Sequence, residues 1–202
     1  MIVPLLPYLY FLSNAHFLDF NRELWVLFSS SDLLVGRIVV FIGIILFFLA
    51  FGQWLWYHHK HSGLFVKGLY SKIRHPQFTG IIVVTMGLTI MVLIFGDFNY
   101  AGFPNNVTIS SLGLIGLWFL QVLGYIGIAK YEDWRLSKKF KDEYLQYKGN
   151  VPFLFPIKSP KRIPEILFTI LLVVILCIAI YLLPYNLIKV YSHIHFPNLY
   201  NI

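Results

Sequence analysis

The chain has 202 residues, of which 58% are hydrophobic, 18% aromatic and only 12% charged, with a mean hydropathy of +0.71; this composition excludes an ordinary water-soluble domain. A net charge of +7 and a pI near 9.4 would suit a nucleic-acid binder, but the basic residues lie between apolar runs and no nucleic-acid motif accompanies them, so membrane topology explains them better. The single cysteine, Cys177, excludes an intrachain disulfide and a cysteine-based metal knuckle.

Taken in order, the chain opens on a segment with Pro4 and Pro7 and no basic residue before its apolar run, so no cleaved signal peptide is expected there. The run Ile2 to Leu12 is too short for a helix rising ~1.5 Å per residue to cross about 30 Å of hydrocarbon, and is expected to extend through Phe17 as a tilted or partly re-entrant helix. Leu34 to Tyr57 is the first clear span, with Arg37 near one end and Gln53, Trp54, Trp56 and Tyr57 as anchors at the other. His58, His59 and His61 follow with no carboxylate or cysteine beside them, and are read as interfacial rather than metal-binding.

Phe78 to Phe95 and Leu112 to Ala129 are two further spans, joined by a loop, Gly96 to Ser110, that contains no Lys or Arg; they predict a helical hairpin. Ile166 to Leu183 is the last span, entered through Pro164 and ended by Pro184, with His193 and His195 in a short tail. Residues 58–77 and 130–163 together hold thirteen of the sixteen Lys and Arg. The positive-inside rule puts both segments on the cytoplasmic side and the hairpin tip near Asn105 outside. The expected fold is therefore an all-α integral-membrane bundle of four to five transmembrane helices, with a cytoplasmic amphipathic helix after the hairpin. It is read as a single membrane domain: N-terminal helices (1–52), a core (53–156), and an added C-terminal helix and tail (157–202).

Two cytoplasmic stretches carry chemistry. In the first, Gly68 to Gly80, Lys72, Arg74 and His75 precede Pro76, which suits a first helical turn because its missing N–H has no intrahelical partner there. A helix starting near Pro76, with Arg74 beside its positive end, predicts an anion-binding corner at the bilayer surface. The second is the amphipathic stretch 130–149. There Leu136, Phe140 and Tyr144 recur at a spacing of four, with Tyr147 three further on, and Glu132 heads the same line four residues before Leu136. A carboxylate there is expected to face a cavity that supplies a partner, although Arg135 three residues on is an ordinary alternative. Asp133 is expected to support the fold. Tyr144 and Tyr147 should seat the helix, and Val151 to Pro156 should lie extended along the surface. A ligand matched to both stretches carries a carboxylate for Arg74, a cation for Glu132 and a flat ring for Phe65, Tyr70 or Phe78; S-adenosylmethionine is one such molecule among amphoteric nucleotides.

The pattern Gly68-x-Tyr70-x-x-x-Arg74-His75-Pro76-x-Phe78-x-Gly80 is followed by Glu132-Asp133-x-x-Leu136-x-x-x-Phe140-x-x-Glu143-Tyr144-x-x-Tyr147-x-x-x-Val151-Pro152-x-x-x-Pro156. In this order across a hairpin it resembles the isoprenylcysteine carboxyl methyltransferase and phospholipid methyltransferase superfamily, over about residues 53–156. The resemblance implies a membrane-embedded methyltransferase with S-adenosylmethionine as cofactor and a lipid or prenyl-type acceptor reached through the membrane. It puts Tyr70, His75, Pro76, Gln77 and Phe78 around the cofactor, Glu132 at its polar end, and His61, Leu64 and Phe65 in a strip upstream. Arg74 and Glu132 are the expected catalytic pair, with Arg74 orienting the cofactor or an acceptor carboxylate. The chain departs from the family at Ile128, where prenylcysteine enzymes carry an acceptor-binding Arg, at Phe153, and at Lys141, where the family has Gly. Two other readings compete: an NAD(P)H-dependent sterol or steroid reductase, for which only Lys138 to Lys141 would serve the extra phosphates, and a non-catalytic membrane scaffold.

Overall fold

In the computed structural model, residues 33–60, 63–97 and 111–195 are described. The expected helix within residues 1–17, the hairpin tip near Asn105, and His61 lie outside them. The described residues form α1 (Leu34–Lys60), a one-turn 3-10 helix (Gly68–Ser71), α2 (Pro76–Asp97), α3 (Ser111–Asn150) and α4 (Glu165–His195), with no strand among them. All four α-helices are long and apolar enough to cross a membrane. Large apolar side chains such as Phe41, Ile45, Phe48 and Leu120 stand exposed on the outside of the bundle, where lipid rather than water would meet them.

The most enclosed helix is α2, with 61% of its spanning window buried against 17% in α1 and in α4. Its tightest partner is α1, and small residues are the reason. Gly36, Gly43 and Ala50 are the buried positions of α1, seven apart; Gly36 meets Gly87 and Met91 of α2, and Gly43 meets Gly80 and Val84. A Cβ added at Gly80 would lie 2.7 Å from the backbone N of Phe47, so nothing larger fits without separating the helices. On the other flank, α3 runs antiparallel to α2: His75, just before α2, meets Asp133, and ten residues further along Thr85 Oγ1 accepts a hydrogen bond from Trp118 Nε1 at 3.2 Å. The ends of α1 and α3 and the beginnings of α2 and α4 thus converge at one end of the bundle.

Three sequence-based boundaries change. The second leg of the hairpin and the amphipathic stretch are one rod to Phe140, about 45 Å long at ~1.5 Å per residue, so its end projects beyond about 30 Å of hydrocarbon. The break comes at Lys141, whose φ of 44° and ψ of −118° are non-helical. Helix α4 does not stop at Pro184 but continues to His195; a proline is tolerated within a membrane helix because neighbouring groups re-satisfy the freed carbonyl. Finally, Val151 to Leu154 does not lie along the surface: Val151, Phe153 and Leu154 are buried. The residues before α2 have free N–H groups, and this strap supplies the acceptors. Arg74 N donates to Pro152 O at 3.0 Å and His75 N to Phe153 O at 3.3 Å.

Candidate functional site

The corner before α2 is shaped by local constraints. Gly68 adopts φ +62°, and a side chain there would collide with the Gln53 amide, which accepts a hydrogen bond from Leu69 N at 3.0 Å. The 3-10 turn that follows aims Tyr70 inward. Tyr147, beyond the break in α3, donates from its hydroxyl to Tyr70 O at 2.7 Å. Pro76 opens α2 as expected, and His75 O receives the N–H groups of Phe78 (3.1 Å) and Thr79 (3.2 Å).

Arg74 is not at the opening. Its side chain is fully buried: Nε donates to Val151 O at 3.1 Å, one terminal nitrogen to Asp133 Oδ2 at 2.5 Å, and the other to Glu165 Oε1 at the start of α4. Its guanidinium carbon also lies 5.2 Å from the Phe153 ring centroid. The expected anion-binding corner is therefore filled by the protein's own carboxylates, and Arg74 fastens α2, α3, α4 and the strap together rather than facing a ligand. Burial disfavours its charge, but the hydrogen bond to Glu165 and the charge of Asp133 outweigh this and raise its pKa.

Asp133 is the hub. Its Oδ1 accepts from His75 Nε2 at 2.7 Å and from the Tyr144 hydroxyl, and its Oδ2 from Arg74. Tyr144 is eleven residues further along, about 16 Å in a straight helix, so only the break at Lys141 lets its side chain return to Asp133. The other imidazole nitrogen, His75 Nδ1, lies 3.3 Å from Glu132 Oε2 without hydrogen-bond geometry. Burial pushes the His75 pKa down, but the carboxylates of Asp133 and then Glu132 overcome it, and the net direction is up.

Glu132 is the carboxylate that reaches the rim, with 39% of its side chain exposed. It accepts from Gln77 Nε2 at 3.4 Å, and Gln77 Oε1 in turn accepts from the Tyr70 hydroxyl at 3.1 Å. Burial and then the charge of Glu132 push the Tyr70 hydroxyl well above its usual pKa, so it stays a donor. An aromatic wall continues from Tyr70: Phe65 lies 5.0 Å from it and 4.6 Å from Tyr57, centroid to centroid. Leu64 is buried behind this wall, its carbonyl accepting from the Tyr57 hydroxyl at 3.3 Å.

Of the residues expected around a cofactor, Phe65, Tyr70, His75, Gln77 and Glu132 are thus brought into one connected group. Pro76 and Phe78 are buried behind it, Phe78 against Tyr125, and Arg74 is sealed beneath it. Glu165 carried no expectation from the sequence; the signal for its part was an acid placed directly after Pro164 at the mouth of an apolar helix. Among the described residues, no group of three or more His, Cys, Asp or Glu is placed to hold a metal. Comparisons of the chain with protein-family models, with curated proteins and with solved structures find no match.

Proposed function

We propose that this protein transfers a methyl group from S-adenosylmethionine to a lipid or lipidated acceptor at the cytoplasmic face of the membrane. The observation that carries the reading is the electrostatic arrangement of the corner. Arg74 is consumed by Asp133 and Glu165, which leaves Glu132 at the rim with no guanidinium against it. An accessible carboxylate beside a wall of aromatic faces suits a cationic, ring-bearing ligand better than a dinucleotide's phosphates. The same feature disfavours a reductase reading. Of its phosphate-binding candidates, Lys138 to Lys141, Lys138 and Lys139 lie over the rings of Trp134 (3.8 Å) and Phe140 (5.0 Å).

The residues present fit the cofactor. Glu132 would hold its ammonium group, Gln77 and the Tyr70 hydroxyl would hydrogen-bond beside it, and Phe65 and Tyr70 would offer ring faces to the adenine and the sulfonium. When bound, the cofactor would supply an activated methyl on its sulfonium for transfer to an acceptor lone pair, with the bonding pair retained by sulfur. The chain's own work is positioning and exclusion of water. His75, clamped by Asp133, fixes the side of Glu132 that faces the interior, and the buried Arg74 keeps the corner's backbone in register with the strap. The excess of Lys and Arg in residues 58–77 and 130–163 supports placing this end of the bundle in the cytoplasm.

Equilibrium binding of radiolabelled S-adenosylmethionine to the purified protein in detergent tests the reading. Saturable binding, weakened at least about tenfold by Glu132→Gln, the loss expected for one charge-assisted contact, is the supporting result. Saturable NADPH binding with no S-adenosylmethionine binding would overturn it.

A further inference from the structure

Lys130 is the first residue after the apolar run Leu112 to Ala129 of α3. It lies about 27 Å along the helix from Leu112, which sets it where hydrocarbon about 30 Å thick gives way to lipid headgroups. The side chain is half-buried there. Two positions along a helix are about 200° apart, so Lys130 points away from Glu132 and the corner. Its ammonium stands 5.6 Å from the centroid of the Phe153 ring in the strap, a ring that also carries the Arg74 guanidinium at 5.2 Å.

The break at Lys141 brings a second cation to the same place. In a straight helix Lys148 would lie about 27 Å beyond Lys130, but the chain turns back: Tyr144 donates to Asp133, Tyr147 to Tyr70 O, and Val151 N to Tyr147 O. Lys148 is thereby held between this returning turn and the strap. Burial works against the Lys130 charge, and Lys148 is the largest charge acting on it, a like one. Asp133 and Glu165 attract it, but both are engaged by Arg74. Among the described residues, neither lysine has a carboxylate within ion-pair distance. Two ammonium groups kept together, half out of water and without a counter-charge from the protein, cost free energy that a bound anion would recover. At headgroup depth the anion at hand is a lipid phosphate, and basic side chains at the cytoplasmic edge of a bilayer are drawn to anionic lipids.

We propose that Lys130 and Lys148 form a headgroup site for the phosphate of an anionic lipid, at the edge of the bilayer where α3 meets the strap. The site faces away from Glu132 and stands independently of the methyl-transfer reading.

The test uses the purified full chain in neutral detergent, with no cofactor, and radiolabelled phosphatidylglycerol as the probe. Saturable binding is expected, weakened about fivefold by Lys130→Met and by Lys148→Met, the worth of one basic side chain at an anionic surface. A Lys67→Gln, Lys72→Gln double variant, which removes two exposed charges from the loop before α2, should bind the probe like the parent. Unlabelled phosphatidylglycerol should displace the probe, whereas phosphatidylcholine and inorganic phosphate at the same concentration should not. Because each substitution at the site relieves a like-charge contact, neither should lower the unliganded melting temperature, and two separate variants keep the test open if one misfolds. An equal loss in the Lys67→Gln, Lys72→Gln variant would mark a general effect of surface charge and overturn the proposal. Displacement by phosphatidylcholine as effective as by phosphatidylglycerol would mark an unselective lipid surface, and equally effective displacement by phosphate a site for free anions; either result overturns it, as does absence of saturable binding.

Discussion

Asp133 accepts hydrogen bonds from three side chains, the adjacent Arg74 and His75 and the distant Tyr144, while 2% exposed. Removing it leaves a buried guanidinium with only Glu165 to balance it. Asp133→Ala should therefore destabilise the protein by about 3–5 kcal/mol, read as thermal unfolding in detergent. An Arg74→Met, Asp133→Leu double variant should recover only part of that loss: it removes the stranded guanidinium but leaves Glu165, His75 and Tyr144 without the partners they have in the parent. His75 adds a pH dependence. Its folded pKa is raised, so its contribution is fully present below the unfolded value of about 6.5 and is lost as the pH rises through the folded value. The melting temperature of the parent should fall across that interval, and a His75→Gln variant should show a flatter profile. At this scale the sequence told much about Glu132 and little about Arg74. The four-residue spacing from Leu136 to Tyr144 located the right turn of the helix, yet the fully buried acid is Asp133, one position and about 100° further round, with Glu132 left at the rim. Arg74 read as ligand-facing because its second carboxylate, Glu165, is 91 residues away and no local pattern links them.

Among the elements, α3 departs furthest from a simple reading. Its apolar span and its amphipathic stretch have different patterns, which suggested two helices, but the backbone needs no break at the point where lipid ends and water begins. The break falls instead at Lys141, where a positive φ is required to bring Tyr144 back to Asp133. A side chain with a Cβ is strained there and glycine is not. Lys141→Gly should stabilise the protein by about 1 kcal/mol, a rise of about 2–4 °C in melting temperature, with no loss of the Asp133 network. The start of α2 was legible because Pro76 marks it chemically. The end of α4 was misread at Pro184 because a rule for helices in water was carried into an apolar run, where interruption of the ladder is tolerated.

For the molecule as a whole, the four described helices were legible from hydropathy and length, because a bilayer leaves few alternatives for an apolar run of that size. What hydropathy does not encode is which helix ends meet. Here α4 is tied to the start of α2 by Glu165 through Arg74. Glu165→Gln should weaken that tie by about 1–2 kcal/mol, less than Asp133→Ala because 26% of the Glu165 side chain stays exposed, and protease cleavage in the segment 157–164 should speed up accordingly.

The Val151 to Leu154 strap and Glu165 also set an order of events. Arg74 leaves the ribosome 77 residues before the carbonyl of Val151 and 91 before the carboxylate of Glu165. At a synthesis rate of about 5–20 residues per second, its guanidinium waits roughly 5–18 s for its last partner. During that interval α1 and α2, whose glycine contacts are already complete, can dock as a pair, while the corner above them stays open and charged. Arg74 is thus balanced only when the first residue of α4 is made, and the arrival of that helix completes the layer beneath the corner.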